Sequence, residues 1–187
     1  PFDPWMLGVW IGDGCVNGAA QIHKPEPELQ KGVAEWAEAN GMAWKLKTKH
    51  TENDTITVTS KSSKHGTNQL INISKYAYRN GEKRIPLAYL RSSKAQRLEL
   101  LAGLLDTDGH LYKNKQFEIS TKYEGLSKDI LQLCRGLGLR VTRSYERKTI
   151  KSIYWRLSCT CSMQILFFCS SNCSSNRDLR TSIRGTL

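Results

Sequence analysis

The chain has 187 residues, with 28 Lys and Arg against 17 Asp and Glu, a formal charge of +11 and a pI near 9.5. At 39% apolar and 24% charged residues it can close a folded core, as one large domain or two small ones. No apolar run reaches the roughly 20 residues of a membrane span and no charged-then-apolar leader opens the chain, so disorder, membrane insertion and secretion are poor readings, and a polyanion, nucleic acid first, is the expected partner.

In chain order, residues 3–12 read as a short apolar helix, followed by a strand-like stretch to about Lys24 that turns at Asn17-Gly18. An amphipathic helix runs from Glu26 to Asn40, with Leu29, Val33, Trp36 and Ala37 as its buried stripe and Gly41 closing it. Alternating runs at 44–50 and 55–60 read as a hairpin turning at Asn53-Asp54, and a helix near 67–79 follows. The same order then begins again near Lys94. A helix at 95–107 precedes strands near 110–121 that turn at Asn114, then a helix at 125–137 closed by Gly138. Its stripe, Leu126, Ile130, Leu133 and Cys134, lies 97 residues after the first. A hairpin of 139–147 with 152–160, a helix at 162–170 and a polar tail complete the chain. The expected fold class is therefore α+β: two similar αββαββα halves, 1–93 and 94–187, related by a pseudo-twofold axis.

The strands carry charge in a pattern. Lys45, Lys47 and Lys49 alternate with Trp44 and Leu46, and Thr55, Thr57 and Thr59 alternate with Ile56 and Val58. Tyr154, Arg156, Ser158 and Thr160 alternate with Ile153, Trp155, Leu157 and Cys159, and Arg140 and Arg143 stand on the neighbouring strand. Period-two alternation predicts one face on the helices and one open face of cations and hydroxyls, groups that hold phosphates and read base edges. The basic excess is uneven, with 12 basic and 9 acidic residues in 1–93 against 16 and 8 in 94–187.

Six cysteines include no C-x-x-C pair, and the last histidine is His110. A zinc site from Cys159, Cys161, Cys169 and Cys173 is a poor fit to metal-ligand spacing, and reduced cysteines of an intracellular protein are the expected reading. With Pro1 in first position, the chain is expected to be a piece of something longer.

Each unit opens on a sharper feature: Met6-Leu7-Gly8-Val9-Trp10-Ile11-Gly12-Asp13-Gly14 and Leu101-Ala102-Gly103-Leu104-Leu105-Asp106-Thr107-Asp108-Gly109. Small residues at i and i+4, Gly8 with Gly12 and Gly103 with Thr107, predict two helices packed backbone to backbone. Asp13 and Asp108 then end those helices 95 residues apart, each before a Gly that lets the chain leave. Two carboxylates at the negative ends of two dipoles repel, and a divalent cation held by them and by the carbonyls of Gly12 and Thr107 resolves the conflict. Paired hard cations sharing a phosphate suit phosphodiester hydrolysis. Asp106 has Ile11 as its counterpart and is left out of the metal set.

The paired motifs resemble those of the LAGLIDADG homing endonucleases over almost the whole chain, most closely the intein-type members. The resemblance implies a saddle of two antiparallel sheets over double-stranded DNA, motif helices at its centre and one Mg²⁺-binding Asp per half, with Mn²⁺ as substitute. It implies a monomer that cuts both strands of a long asymmetric site. It also implies a role for Lys83, in Lys83-Arg84-Ile85-Pro86, as a cation on the scissile phosphate or attacking water. The symmetric counterpart falls on Arg177, followed by Asp178 where a second Lys is the functional one. Gln21 with Gln116 and His23 with Glu118, both pairs 95 apart, are further candidates beside the reaction centre. The rival reading is a non-cleaving or nicking relative: a nucleic-acid binder or RNA maturase.

Overall fold

The computed structural model describes residues 2–23, 26–47, 54–61, 68–112, 116–149 and 152–160. The helix expected at 162–170, the turns at Asn53 and Asn114, and residues Lys49, Cys161, Cys169, Cys173, Arg177 and Asp178 lie outside them.

The first motif helix, α1 (Pro4–Asp13), starts where Asp3 accepts a 2.7 Å hydrogen bond from the Met6 N–H and Pro4 occupies the first turn. It is followed by β1 (Gln21–His23), α2 (Pro27–Ala39), β2 (Met42–Lys47), β3 (Thr55–Ser60) and α3 (Gln69–Ala77). A ribbon of β4 (Tyr78–Arg79) and β5 (Glu82–Lys83) and one turn of helix, α4 (Leu87–Leu90), lead to the second motif helix, α5 (Lys94–Asp108). Then come β6 (Gly109–Leu111), β7 (Gln116–Thr121), α6 (Glu124–Gly136), β8 (Arg140–Thr149) and β9 (Ser152–Thr160). Two antiparallel sheets, ordered β1-β3-β2 and β6-β7-β9-β8, cover one continuous core built around α1 and α5.

The two motif helices meet through their small residues. A Cβ added at Gly8 would stand 2.3 Å from the Leu100 carbonyl oxygen, one at Gly103 2.1 Å from that of Trp5, and one at Gly12 1.9 Å from Thr107 Oγ1. No side chain fits at these crossings, so the backbones touch, as the spacing predicts. Asp106, the acidic residue left out of the metal set, accepts a 2.8 Å bond from Trp5 Nε1 across the same pair.

Several expectations are corrected. Gly14 and Gly109 leave their helices with φ of −69° and −81°, not in the left-handed region. They are needed for space: a Cβ would lie 2.3 Å from the Trp10 ring at Gly14 and 2.5 Å from the Leu105 carbonyl oxygen at Gly109. The hairpin expected after α1 is reduced to β1 and a single bridge, Gly14 to Ile22. Trp44 and Leu46 share the apolar face with Val58 and Ile56 but stay 38% and 37% exposed on β2, an edge strand, although Trp44 Nε1 donates to Glu38 of α2 at 2.9 Å. The β4–β5 ribbon is absent from the periodicity reading because two-residue strands show no alternation. Its turn, Asn80-Gly81 with φ of 52° and 81°, is a primed hairpin turn in the expected residues.

Register also resets the alignment of the repeats. Gly14 faces Ile22, whereas Gly109 faces Ile119, so the second loop is two residues longer. From there to the strands after α2 and α6, equivalent positions are 97 apart, as the left-handed Gly41 and Gly138 confirm. Gln21 therefore matches Glu118, not Gln116, and His23 matches Ser120, not Glu118.

Candidate functional site

α1 and α5 both end on their aspartates, and the glycine-lined crossing brings those ends together. Asp13 and Asp108 thus stand at the negative poles of two adjoining dipoles, an arrangement unfavourable for two carboxylates alone. Crowding by surrounding atoms, and then the Asp13 charge, push the Asp108 carboxyl up to about 6, against the opposing pull of Lys83.

Lys83 completes the cluster. Its residue is 6% exposed, and its ammonium donates to the carbonyls of Gly12 (2.7 Å) and Trp10 (3.2 Å), 5.1 Å from the Trp10 ring centre. Both carbonyls belong to the last turn, and that of Trp10 also accepts from the Gly14 N–H at 2.8 Å, so Lys83 acts as a cationic cap on α1. Burial lowers its pKa to about 8, with Asp108 and then Asp13 opposing the shift. The Gly12 carbonyl, expected as a metal ligand, is thus already an acceptor for Lys83. Thr107 turns its hydroxyl back on the Gly103 and Leu104 carbonyls at 3.2 and 3.0 Å.

Asp108 and Lys83 line a cleft of about 330 Å³ that His23 and Tyr154 also reach. Lys122 and Cys15 stand in its wall and were missed by sequence reasoning. The signal for Lys122 was its place one residue beyond β7, the strand that leads away from the second acidic motif.

Among the described residues the sheets present the faces that alternation predicts, and one expected contact residue falls on the other face. Across the first, Gln21 pairs with Thr57 and Thr57 with Lys45; His23 pairs with Thr55 and Thr55 with Lys47. Thr59 shares that face, opposite Ala43. Across the second, Gln116 pairs with Thr160 and Thr160 with Arg140, while Glu118 pairs with Ser158 and Arg156 with Ser144. Arg143 is the correction: paired with Leu157, it lies on the helix side, where its Nε donates to Ser127 at 2.7 Å and its guanidinium stacks 3.7 Å from the Trp155 ring. On the open face Glu118 accepts from the Tyr112 hydroxyl and from Ser158 (2.9 Å) and lies 3.4 Å from Arg156. Burial raises its pKa, but the Tyr112 and Ser158 bonds and the Arg156 charge outweigh this and hold it below the ordinary value.

Among the described residues, no group of three or more His, Cys, Asp or Glu side chains is placed to hold a metal. Cys159 of the conceivable zinc set is buried in the core. The helix ends offer two carboxylates and main-chain oxygens, a hard-oxygen donor set suited to Mg²⁺ or Mn²⁺ if water and a phosphate complete it.

A sequence model of the homing endonucleases matches residues 84–184. The replicative DNA helicase DnaB of Mycobacterium intracellulare is 34% identical over 144 residues, 77% of this chain and 20% of the helicase, so the chain spans about a fifth of that relative. A structure of mesophilic variants of the homing endonuclease I-DmoI superposes with a TM-score of 0.60 at 16% identity, covering 93% of this chain and 96% of that one. I-DmoI in complex with DNA and Mn gives 0.59 at 16%, covering 93% and 97%. The N-terminal LAGLIDADG domain of DUF199/WhiA gives 0.59 at 10%, covering 93% and 83%.

Proposed function

This chain belongs to the homing endonuclease family and has the LAGLIDADG fold, and on that premise we propose that it is a divalent-metal-dependent endonuclease that cuts both strands of a long, asymmetric duplex DNA site. One observation carries the reading: two helices that end on aspartates cross at their glycines, so Asp13, Asp108 and a buried Lys83 converge between two polar sheet faces. The match to part of a replicative helicase supports the intein-type parentage, an endonuclease carried within a longer intracellular protein. The repeated element order supports a monomer with internal pseudo-twofold symmetry.

The chain's own groups divide the work. Gln21, His23, Lys45, Lys47, Thr55, Thr57 and Thr59 on one sheet, and Arg140, Tyr154, Arg156, Gln116 and Glu118 on the other, engage backbone and base edges and seat the duplex over the helix ends. Asp13 and Asp108 would hold Mg²⁺, or Mn²⁺ in its place, and such a cation would supply Lewis acidity and activate water at neutral pH. Lys83 fixes the end of α1 and directs positive charge at the phosphate beside Asp13. Arg177, outside the described residues, is the proposed counterpart of Lys83 in the second repeat.

The test is a supercoiled plasmid bearing the uninterrupted parental gene sequence, incubated with the chain and Mg²⁺. Linear product that requires both the site and the metal is expected. Tight binding without any cut would overturn the nuclease in favour of the non-cleaving binder, and open circle alone would mark a nicking enzyme.

A further inference from the structure

The ribbon that carries Lys83 is held by the other repeat. Tyr123, the N-cap of α6, makes no side-chain capping bond, and the carboxylate of Glu82 serves there instead, accepting from the Gly125 N–H at 3.2 Å. On the far side of Lys83, Arg84 makes a forked pair with Asp129 of α6 at 2.6 and 2.8 Å, and the same carboxylate accepts from the Ile85 N–H at 3.0 Å. Asp129 is 5% exposed. The contact is close: a Cβ on Gly125 would stand 2.4 Å from Glu82 Oε2 and 2.9 Å from Arg84 Cδ, so both side chains would have to shift. Glu82 and Arg84 therefore reach α6, and the residue between them turns oppositely, to the end of α1.

We propose that Asp129 is the positioning residue for Lys83: by pinning Arg84 and the Ile85 amide to α6, it sets where the Lys83 ammonium meets the end of α1. The first repeat's cation is thereby placed by the second repeat's helix. The consequence for catalysis rests on the nuclease reading; the placement of Lys83 does not.

The experiment has two readouts on the 187-residue chain. Brief acetylation with an N-hydroxysuccinimide ester, followed by peptide mass spectrometry, compares Lys83 with exposed Lys31. Asp129→Ala and Gly125→Ala are expected to raise Lys83 labelling roughly tenfold while cooperative unfolding is retained, because they open this contact locally. Arg84→Lys, which keeps the charge but loses the fork, gives a smaller rise and covers the case in which Asp129→Ala does not fold. In parallel, single-turnover cleavage by Asp129→Ala is expected to fall about 100-fold through misplacement of Lys83. DNA affinity should be unchanged, and no further loss should follow when Lys83→Met is already present. Unchanged Lys83 labelling in the folded variants overturns the assignment, whatever cleavage does. Raised labelling in variants of a chain whose wild type cuts nothing supports the positioning role and overturns the nuclease reading instead.

Discussion

The two motif helices end alike and are finished differently. α1 ends under a buried ammonium that takes the Trp10 and Gly12 carbonyls. At the end of α5, Thr107 returns its hydroxyl to its own helix, and Asp108 bears a carboxyl pushed up to about 6 by crowding and Asp13. The sheets differ likewise: the positions held by Gln21, Thr57 and Lys45 in the first repeat are held by Glu118, Ser158 and Thr142 in the second. A duplicated scaffold therefore carries the same carboxylate in two different settings, which under the proposed function would give the two DNA strands unequal surroundings. An asymmetric target needs such inequality, since identical faces would favour a palindrome.

The sharpest way to break the comparison is to remove the shared part. Asp13→Asn and Asp108→Asn are each expected to lower double-strand cleavage by about 100- to 1000-fold while DNA binding persists, as read by single-turnover kinetics and a gel-shift titration in Ca²⁺. If one variant still cuts both strands at the wild-type rate, the two ends do not form one centre.

Lys83→Met tests the inequality itself. About a 100-fold loss is expected, falling mainly on one strand so that nicked circles accumulate. The pH dependence follows from the same groups. Falling pH through about 6 protonates Asp108 and slows cleavage, and rising pH through about 8 removes the Lys83 proton and slows it again. Bound metal would move both limbs lower, since it competes with the proton for Asp108 and offsets the Asp108 and Asp13 charges that hold the Lys83 pKa up. A profile without an alkaline limb at or below about 8 would remove the Lys83 ammonium from the reaction.

Much of this was legible in the residues. Gly8, Gly12, Gly103 and Thr107 foretold the helix crossing because a close approach needs small side chains at helical spacing. The stripes of α2 and α6 foretold the core, since burial follows periodicity. Other features depended on contacts between distant segments. Arg143 was expected at the DNA beside Arg140, but the two stand three residues apart on β8, so strand parity sends Arg143 to the opposite face, against Ser127 and Trp155. The constant offset of 95 held only up to the glycines after the aspartates, because loop length is free where no core face constrains it. The motif pointed to Lys83, but nothing local reveals that Asp129, 46 residues on, holds its ribbon.

The face assignment gives a smaller effect with a clear sign. Lys45→Ala and Lys47→Ala, on the open face, should each weaken DNA binding and flatten the log–log salt dependence by about 0.9 if each meets one phosphate. Arg143→Ala should leave that slope unchanged and lower the melting temperature, since it removes a stacked, hydrogen-bonded side chain from the helix side. An altered salt slope in Arg143→Ala would return that residue to the interface.

The smallest effect concerns stability without metal. Asp108 has a folded pKa of about 6 against 3.8 as its ordinary value, so between those values the folded state holds the extra proton. Stability therefore falls as pH rises from about 4 to about 6 and stays lowered above it. Replacing Asp108 with Asn relieves the repulsion from Asp13 and the helix dipole but forfeits the attraction of Lys83. The carboxyl is shifted upward overall, so relief wins. Asp108→Asn should melt about 2 °C above wild type at pH 7.5 in EDTA, with the difference closing below pH 4. Saturating Mg²⁺ should reverse the order, because a cation that binds both carboxylates stabilises only the chain that keeps them. Scanning calorimetry with and without Mg²⁺ decides it. A variant that melts below wild type in EDTA would mean that Asp108 is a structural anchor of α5, not a carboxylate held ready for a cation.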